Sequence, residues 1–328
     1  MAVTVDLADM GAPPISGLQR TVAIAAGRRP RHTPVMETLH PSPAGSAAPP
    51  TLPAALALGP VHLTVTDLAR AIAWYDRSLG LSVHASGERS AALGDGSETV
   101  VVLHEDPAAQ PPGRHAGLYH YALLYPTRQA LARAALRLAA TRTPIEGASD
   151  HHTHEAIYLP DADGHGIELA WDRSRSAWPA DLGYGGRPDP LDFPSLMETV
   201  AGEEPAPRVD PGLRIGHLHL HVGDVEQAIG FYGGLVGFET QVNLGSAAFL
   251  SAGGYHHHLG VNVWRGRGVA APPAHTVGLR HWTVRLPRRD DVSAVRARLE
   301  RAGVPVVATD LGFEVDDPWS TRLRVEAS

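Results

Sequence analysis

The chain has 328 residues, 43% of them hydrophobic, enough to bury a substantial core and to fill two domains. A formal charge of −7 and a pI near 6.2 leave no basic surplus for a nucleic-acid partner, and no run of 18 apolar residues offers a membrane span. Cysteine is absent, which excludes disulfides, thiolate metal sites and a cysteine nucleophile and fits a cytoplasmic location; the 19 histidines leave imidazole and carboxylate as the metal ligands on offer.

Residues 1–55 come first and differ in texture from the rest. They are rich in Pro, Ala and Gly, with Arg28-Arg29-Pro30-Arg31 near the middle and Pro41-Ser42-Pro43 further on. This composition predicts a disordered extension. The apolar stretch from Thr21 to Ala26 is too short for a secretory leader, and apart from Arg20 the basic residues follow it.

Beyond residue 55 the chain repeats itself, and the repeat decides the fold class. His62-Leu63-Thr64-Val65-Thr66-Asp67-Leu68 aligns with His219-Leu220-His221-Val222-Gly223-Asp224-Val225, 157 residues on, and Leu79-Gly80-Leu81 falls on Val236-Gly237-Phe238. Each copy reads as a period-2 strand, an Asp at a helix N-cap, and one amphipathic helix ended by Gly. A second pair lies 161 residues apart: Gly117-Leu118-Tyr119-His120 matches Gly278-Leu279-Arg280-His281. Helices are predicted next over Arg128 to Thr141 and Asp290 to Ala302, then turns at Asp161-Ala162-Asp163-Gly164 and Asp317-Pro318-Trp319-Ser320 before two final strands. The prediction is an α+β chain of four βαβββ modules in two tandem halves, 56–172 and 214–328. A Pro-, Gly- and Asp-rich linker, 173–213, joins them.

One residue in this pattern demands an explanation. Glu168 sits in the middle of the apolar strand Gly166-Ile167-Glu168-Leu169-Ala170-Trp171. An unpaired buried carboxylate is strongly disfavoured, so a metal ion or another cation is expected beside it.

The modules resemble those of the vicinal oxygen chelate superfamily, which takes in glyoxalases and extradiol dioxygenases. The motifs Gly117-Leu118-Tyr119-His120, Gly147-Ala148-Ser149-Asp150-His151, Glu155-Ala156-Ile157-Tyr158-Leu159, Asp189-Pro190-Leu191-Asp192 and Ser251-Ala252-Gly253-Gly254-Tyr255-His256-His257-His258 are similar to those of two-domain bacterial catechol 2,3-dioxygenases. The resemblance implies paired modules curling into cups, with a divalent metal held by first-strand histidines and a last-strand glutamate. In the first module the usual ligand position is Pro60, which has no donor; its counterpart in the third is His217. In the fourth module Arg324 stands where the second has Glu168. Neither half is complete, whereas His120, Glu168 and His217 complete a set if the two middle modules pair across the halves. His219 and His221 share the strand face of His217 by period 2 and remain alternatives. His62 and His281 lack a completing acid and read as structural.

The family's acid–base group falls in the run His256-His257-His258; the following Leu259-Gly260 points to His257, with both neighbours open. Tyr158, ten residues before Glu168, occupies the place of a substrate-bonding tyrosine, and His151 or His154 reads as an orienting group or a surface histidine. Trp171, Trp178, Tyr184, Trp264 and Trp282 are expected to line the pocket if they face it. The implied activity is an Fe(II)-dependent, or Mn(II)-dependent, extradiol ring cleavage of a catechol- or hydroquinone-like diol with O2, in a cytoplasmic homodimer. Two alternatives accompany it. A glyoxalase-type isomerase would want a fourth ligand where Gly260 stands, and a metal-free aromatic-binding protein would have no use for an inward carboxylate.

Overall fold

The computed structural model describes residues 51–328, so the expected disordered extension lies outside the described residues as far as residue 50. Within residues 51–55, Leu52 is buried and its N–H donates to the Gly237 carbonyl.

The first module contains β1 (Ala57–Leu58), β2 (Val61–Val65), α1 (Leu68–Trp74), β3 (Ser82–Ser86), β4 (Ser90–Gly94) and β5 (Thr99–Glu105). The second has β6 (Gly117–Leu124), α2 (Arg128–Thr141), β7 (Gly147–Asp150), β8 (His154–Pro160) and β9 (Gly166–Asp172). Between the halves run β10 (Asp189–Pro190) and α3 (Phe193–Glu198). The third module is β11 (Arg214–His221), α4 (Val225–Ala228), β12 (Glu239–Asn243), β13 (Ala247–Ser251) and β14 (Leu259–Asn262). The fourth is β15 (Gly278–Leu286), α5 (Arg289–Arg301), β16 (Val307–Ala308), β17 (Gly312–Asp316) and β18 (Arg322–Ala327).

The start of each first helix follows from one side chain. Asp67 and Asp224 accept from the N–H groups of Arg70 and Gln227, three residues on, satisfying donors that a helix N-terminus leaves unpaired. Both helices run on into a wider π-helical turn, Tyr75–Leu79 and Ile229–Val236, and stop at Gly80 and Gly237, where φ is 71° and 107°. A side chain would resist that left-handed backbone, which is why glycine ends both copies.

The modules combine across the halves. One sheet runs β16-β17-β18-β15-β2-β5-β4-β3, with β1 beside β15, and so joins the fourth module to the first. The other runs β10-β7-β8-β9-β6-β11-β14-β13-β12 and joins the second to the third. At the second seam β6 and β11 are antiparallel, and His120 lies opposite His219. Tyr121, Leu123, Leu218, Leu220, Ile167 and Leu169, all buried, join Leu131 and Leu138 of α2 in the hydrophobic core. Each such side chain contributes roughly 1.5–3 kcal/mol on burial. The alternate residues of the same strands are thereby committed to the opposite face, where the histidines lie.

Two buried turns tie successive modules together. Asp161 Oδ2 accepts from the Tyr75 hydroxyl at 2.8 Å and pairs with His165 Nδ1 at 2.8 Å. Asp317 accepts from the Tyr232 hydroxyl at 2.9 Å in the equivalent place, but Thr321 stands where the first turn has His165. Burial raises both carboxyls; the His165 charge outweighs it at Asp161 and holds that group low, whereas Asp317 is pushed up to about 6. The segment between the halves is likewise built in. β10 pairs with β7, and α3 starts with the Asp192 side chain accepting from Ser195 N–H, with its Leu196 buried.

Candidate metal centre

The site is assembled on the face of the second sheet turned away from its core. Register sets who is present: Glu168 of β9 lies opposite Ala122 of β6 on one side and Tyr158 of β8 on the other. Strand neighbours in register share a face, and residues two apart alternate back to it, so His120, Glu168, Tyr158 and His154 project together. On β11 His217 is two residues from His219 and so projects from the same face, while an irregularity between Ile215 and Leu218 keeps both of those apolar residues on the core face. Opposite His219 is Gly260, whose lack of a side chain leaves room for the ring: a Cβ there would lie 2.9 Å from it.

His120, Glu168 and His217 each offer one donor atom, and the three atoms lie within 4.8 Å of one another. Both imidazole Nε2 atoms sit 3.1 Å from Glu168 Oε2. The residues are 8%, 1% and 2% exposed, so water does not solvate the carboxylate. His154 Nε2 approaches the other oxygen, Oε1, at 3.2 Å. Only the His217 contact to Glu168 has hydrogen-bond geometry, and His120 Nε2 and Glu168 Oε1 have no hydrogen-bond partner. An unpartnered imidazole nitrogen and an unpartnered carboxylate oxygen, buried together, are groups that a bound cation would satisfy. The spacing agrees, because two neighbouring ligands about 2.1 Å from an octahedral ion are about 3 Å apart. The residues present therefore fit a divalent metal.

Electrostatics point the same way. Burial would raise the Glu168 carboxyl, but attraction to His217 and the close approach of the His120, His154 and His217 nitrogens outweigh it and hold the group well below its usual range, as a carboxylate. Burial lowers His217 despite the attraction of Glu168, and it lowers His219 and His257 well below the ordinary histidine value. Neutral imidazoles are the ligand form. Tyr158 is pushed well above its usual value by burial, reinforced by Glu168, and so stays a phenol.

Around the three donors, His151 Nε2 lies 2.7 Å from the Tyr158 hydroxyl, and the His257 ring centre is 4.1 Å from that of His217. The His256 ring lies further off, its centre 6.0 Å from that of His217, and stacks on His154 at 4.6 Å. His258 Nδ1 accepts from Ala252 N–H and borders a different cleft with Leu124 and Arg285. Among the aromatic residues, Tyr184 reaches His257 Nδ1 at 3.2 Å and Trp264 packs against His219 and Tyr119. Trp178 covers His256. Two do not line the site. Trp282 is wholly buried against Tyr232 and Phe238, and Trp171, one residue out of phase with Glu168 and Ala170, faces the other way. Phe249, 4.9 Å from the His257 ring, was not singled out by the sequence; its register opposite Gly260 is a tertiary fact.

Sequence reasoning named His154 and His256 singly but missed the group they form with Asp172. His154, Asp172 and His256 bring donor atoms within 4.8 Å of one another just behind Glu168. In the sheet of the first and fourth modules the counterpart of Glu168, Arg324, pairs with Glu314, while His62 and His281 stack at 3.8 Å. Among the described residues no acid completes that second set.

Residues 57–169 and 214–313 match the model of the Glyoxalase/Bleomycin resistance protein/Dioxygenase superfamily, and the chain belongs to that superfamily. Within it, the chain is 38% identical over 270 residues to a catechol-2,3-dioxygenase of Bacillus subtilis (strain 168), an alignment covering 80% of this chain and 94% of that protein. The fold is shared more widely. Glyoxalase I from Zea mays superposes with a TM-score of 0.51 at 15% identity, over 83% of this chain and 92% of that one. The cppA protein from Streptococcus pneumoniae TIGR4 gives 0.51 at 13% identity, over 83% and 99%.

Proposed function

We propose that this protein is an extradiol ring-cleaving dioxygenase that opens a catechol- or hydroquinone-like aromatic diol with O2, holding Fe(II), or Mn(II) in its place, on His120, Glu168 and His217. The observation that carries this reading is the meeting of two imidazole nitrogens on one buried carboxylate oxygen. The 38% identity to a catechol-2,3-dioxygenase supports the reaction class. Two histidines and one carboxylate leave coordination positions open, as non-haem Fe(II) oxygenases require. When bound, the metal supplies a Lewis acid and one-electron chemistry for joining a diol to O2.

The protein's own residues do the rest. Glu168, kept ionised, provides the negative charge of the site. His257 accepts a hydroxyl proton from the diol at Nε2, the nitrogen turned away from His256, and returns it as the ring opens. Tyr158 donates its hydroxyl hydrogen to a substrate oxygen, and His151 at 2.7 Å fixes where that hydroxyl sits. Tyr119 and Trp264, 39% and 54% exposed, stand at the rim where an aromatic ring enters, and Phe249 stands deeper. Burial of the donors excludes water from the charged groups, which strengthens their interactions. The isomerase alternative is disfavoured by Gly260, which offers no fourth ligand and gives its space to His219. A metal-free binding role is disfavoured by Glu168, whose burial costs free energy without a cation.

The experiment is to load the protein anaerobically with Fe(II), measure bound metal, and follow oxygen uptake with a panel of catechols and hydroquinones. Near one metal per chain, oxygen consumption and a yellow ring-fission product are expected. No uptake by metal-loaded protein across the panel would overturn the reading. The proposal extends to a cytoplasmic homodimer working on small molecules; among the described residues no helix is long and apolar enough to cross a membrane. Light scattering after size exclusion tests the dimer.

A further inference from the structure

Behind His257 lies a chain of polar contacts that the reaction as described does not use. Asp172 ends β9, four residues past Glu168, and its Oδ1 is 3.1 Å from His256 Nε2. His256 Nδ1 is 2.9 Å from His257 Nδ1. The other Asp172 oxygen accepts from the Tyr255 hydroxyl at 2.7 Å, and the Tyr184 hydroxyl donates to the His256 carbonyl at 3.0 Å while lying 3.2 Å from His257 Nδ1. His256 and His257 are 1% and 6% exposed, so neither ring turns freely into solvent.

These contacts admit one placement of protons when both rings are neutral. A carboxylate only accepts, so His256 carries its hydrogen on Nε2. Its Nδ1 is then a bare acceptor, and His257 must supply the hydrogen from its own Nδ1. Tyr184 agrees independently: its hydrogen is given to the His256 carbonyl, so toward His257 it has only an oxygen lone pair and needs an N–H there. The nitrogen left bare is His257 Nε2.

We infer that Asp172 and His256 are positioning residues that lock His257 in the Nδ1–H tautomer, so that Nε2 presents a lone pair to a substrate hydroxyl. The inference rests on the dioxygenase reading for its purpose, but the tautomer is a property of the metal-free chain. In the step it serves, the substrate O–H bond breaks, an N–H bond forms at Nε2, and the oxygen keeps the electron pair. The resulting imidazolium is stabilised through His256 by the Asp172 carboxylate, and the same proton leaves Nε2 when the product is made.

The test uses the full chain with 15N-labelled histidine. Long-range proton–nitrogen correlation spectra of the metal-free protein distinguish bare from protonated ring nitrogens, with His257→Gln assigning the signals. His257 is expected as the Nδ1–H tautomer. In Asp172→Asn the amide has both an acceptor and a donor to offer His256 Nε2, so the tautomer is no longer fixed and His257 should gain an Nε2–H population. In the Fe(II)-loaded variant, metal content stays at the wild-type level while kcat on catechol falls about 100- to 10,000-fold. Should Asp172→Asn fold poorly, His256→Phe combined with Tyr184→Phe keeps both rings and removes both partners of His257 Nδ1; His257 should then show mixed tautomers with a similar loss of kcat. An Nε2–H His257 in the wild type, or an unchanged His257 in both variants, overturns the inference. Wild-type protein that shows the expected tautomer but turns over no diol overturns the function proposal instead.

Discussion

Replacing Glu168 with Gln removes a charge and a ligand while keeping the shape, and its effect can be separated from ordinary destabilisation. Glu168 is approached by three imidazole nitrogens at 3.1, 3.1 and 3.2 Å, so its carboxylate is the one negative charge among these groups. A ligand that binds only the folded state stabilises it by RT ln(1 + [L]/Kd), about 2.7 kcal/mol at a free metal concentration of 100 Kd. A chain of this size has an unfolding entropy on the order of 0.6 kcal/mol/K, so metal should raise the wild-type Tm by about 5 °C. If losing the carboxylate weakens binding about 100-fold, the gain at the same concentration falls to about 0.4 kcal/mol, under ~1 °C. Calorimetry with and without Fe(II) under argon reads both shifts, each against its own metal-free baseline. Glu155→Gln is the control. Glu155 is also buried and acidic but pairs with Arg128 at 2.8 Å and Arg173 at 3.0 Å, so this variant should lower the baseline and keep the metal-induced shift. A full shift in Glu168→Gln, or its loss in Glu155→Gln, would refute the ligand assignment.

Two further outcomes follow from other parts of the fold. Gly260→Ala places a Cβ 2.9 Å from the His219 ring, so it should destabilise by about 1–3 kcal/mol and lower turnover, read by urea denaturation and oxygen uptake; an unchanged variant would show that the ring yields freely. Asp317, raised by burial to about 6 from an unfolded value of 3.8, makes the fold lose stability as pH rises between those values, because the unfolded chain releases the proton first. The total is about 3 kcal/mol, absent below pH ~4 and complete above pH ~6. Denaturation of wild type and Asp317→Asn from pH 4 to 7 should show that difference narrowing or reversing by this amount, and parallel profiles would contradict it.

Much of this architecture was legible in the sequence because the modules recur. The Asp caps, the terminating glycines and the paired opening strands each appear twice, so Pro60 opposite His217 and Arg324 opposite Glu168 stood out as departures from a pattern. Period-2 reasoning could put His217, His219 and His221 on one face but could not separate them. What singles out His217 is the register of β11 on β6 beside β9, which sets its Nε2 3.1 Å from Glu168 Oε2 and has no sequence signature. The His154–His256–Asp172 group was illegible for a similar reason: its members come from β8, the β13–β14 loop and the end of β9, and only the folded sheet brings them together. The segment between the halves held a readable clue that composition obscured. Asp192 followed by Pro194, with Ser195 three residues after the Asp, marks a helix start, and α3 begins there.

The central claim is that His120, Glu168 and His217 hold one catalytic metal. Anomalous diffraction at the iron edge, on crystals of anaerobically loaded protein, tests it most directly. The account predicts a single strong peak about 2 Å from His120 Nε2, His217 Nε2 and a Glu168 oxygen. A peak among His154, Asp172 and His256 instead, or none in protein that retains iron in solution, would contradict it.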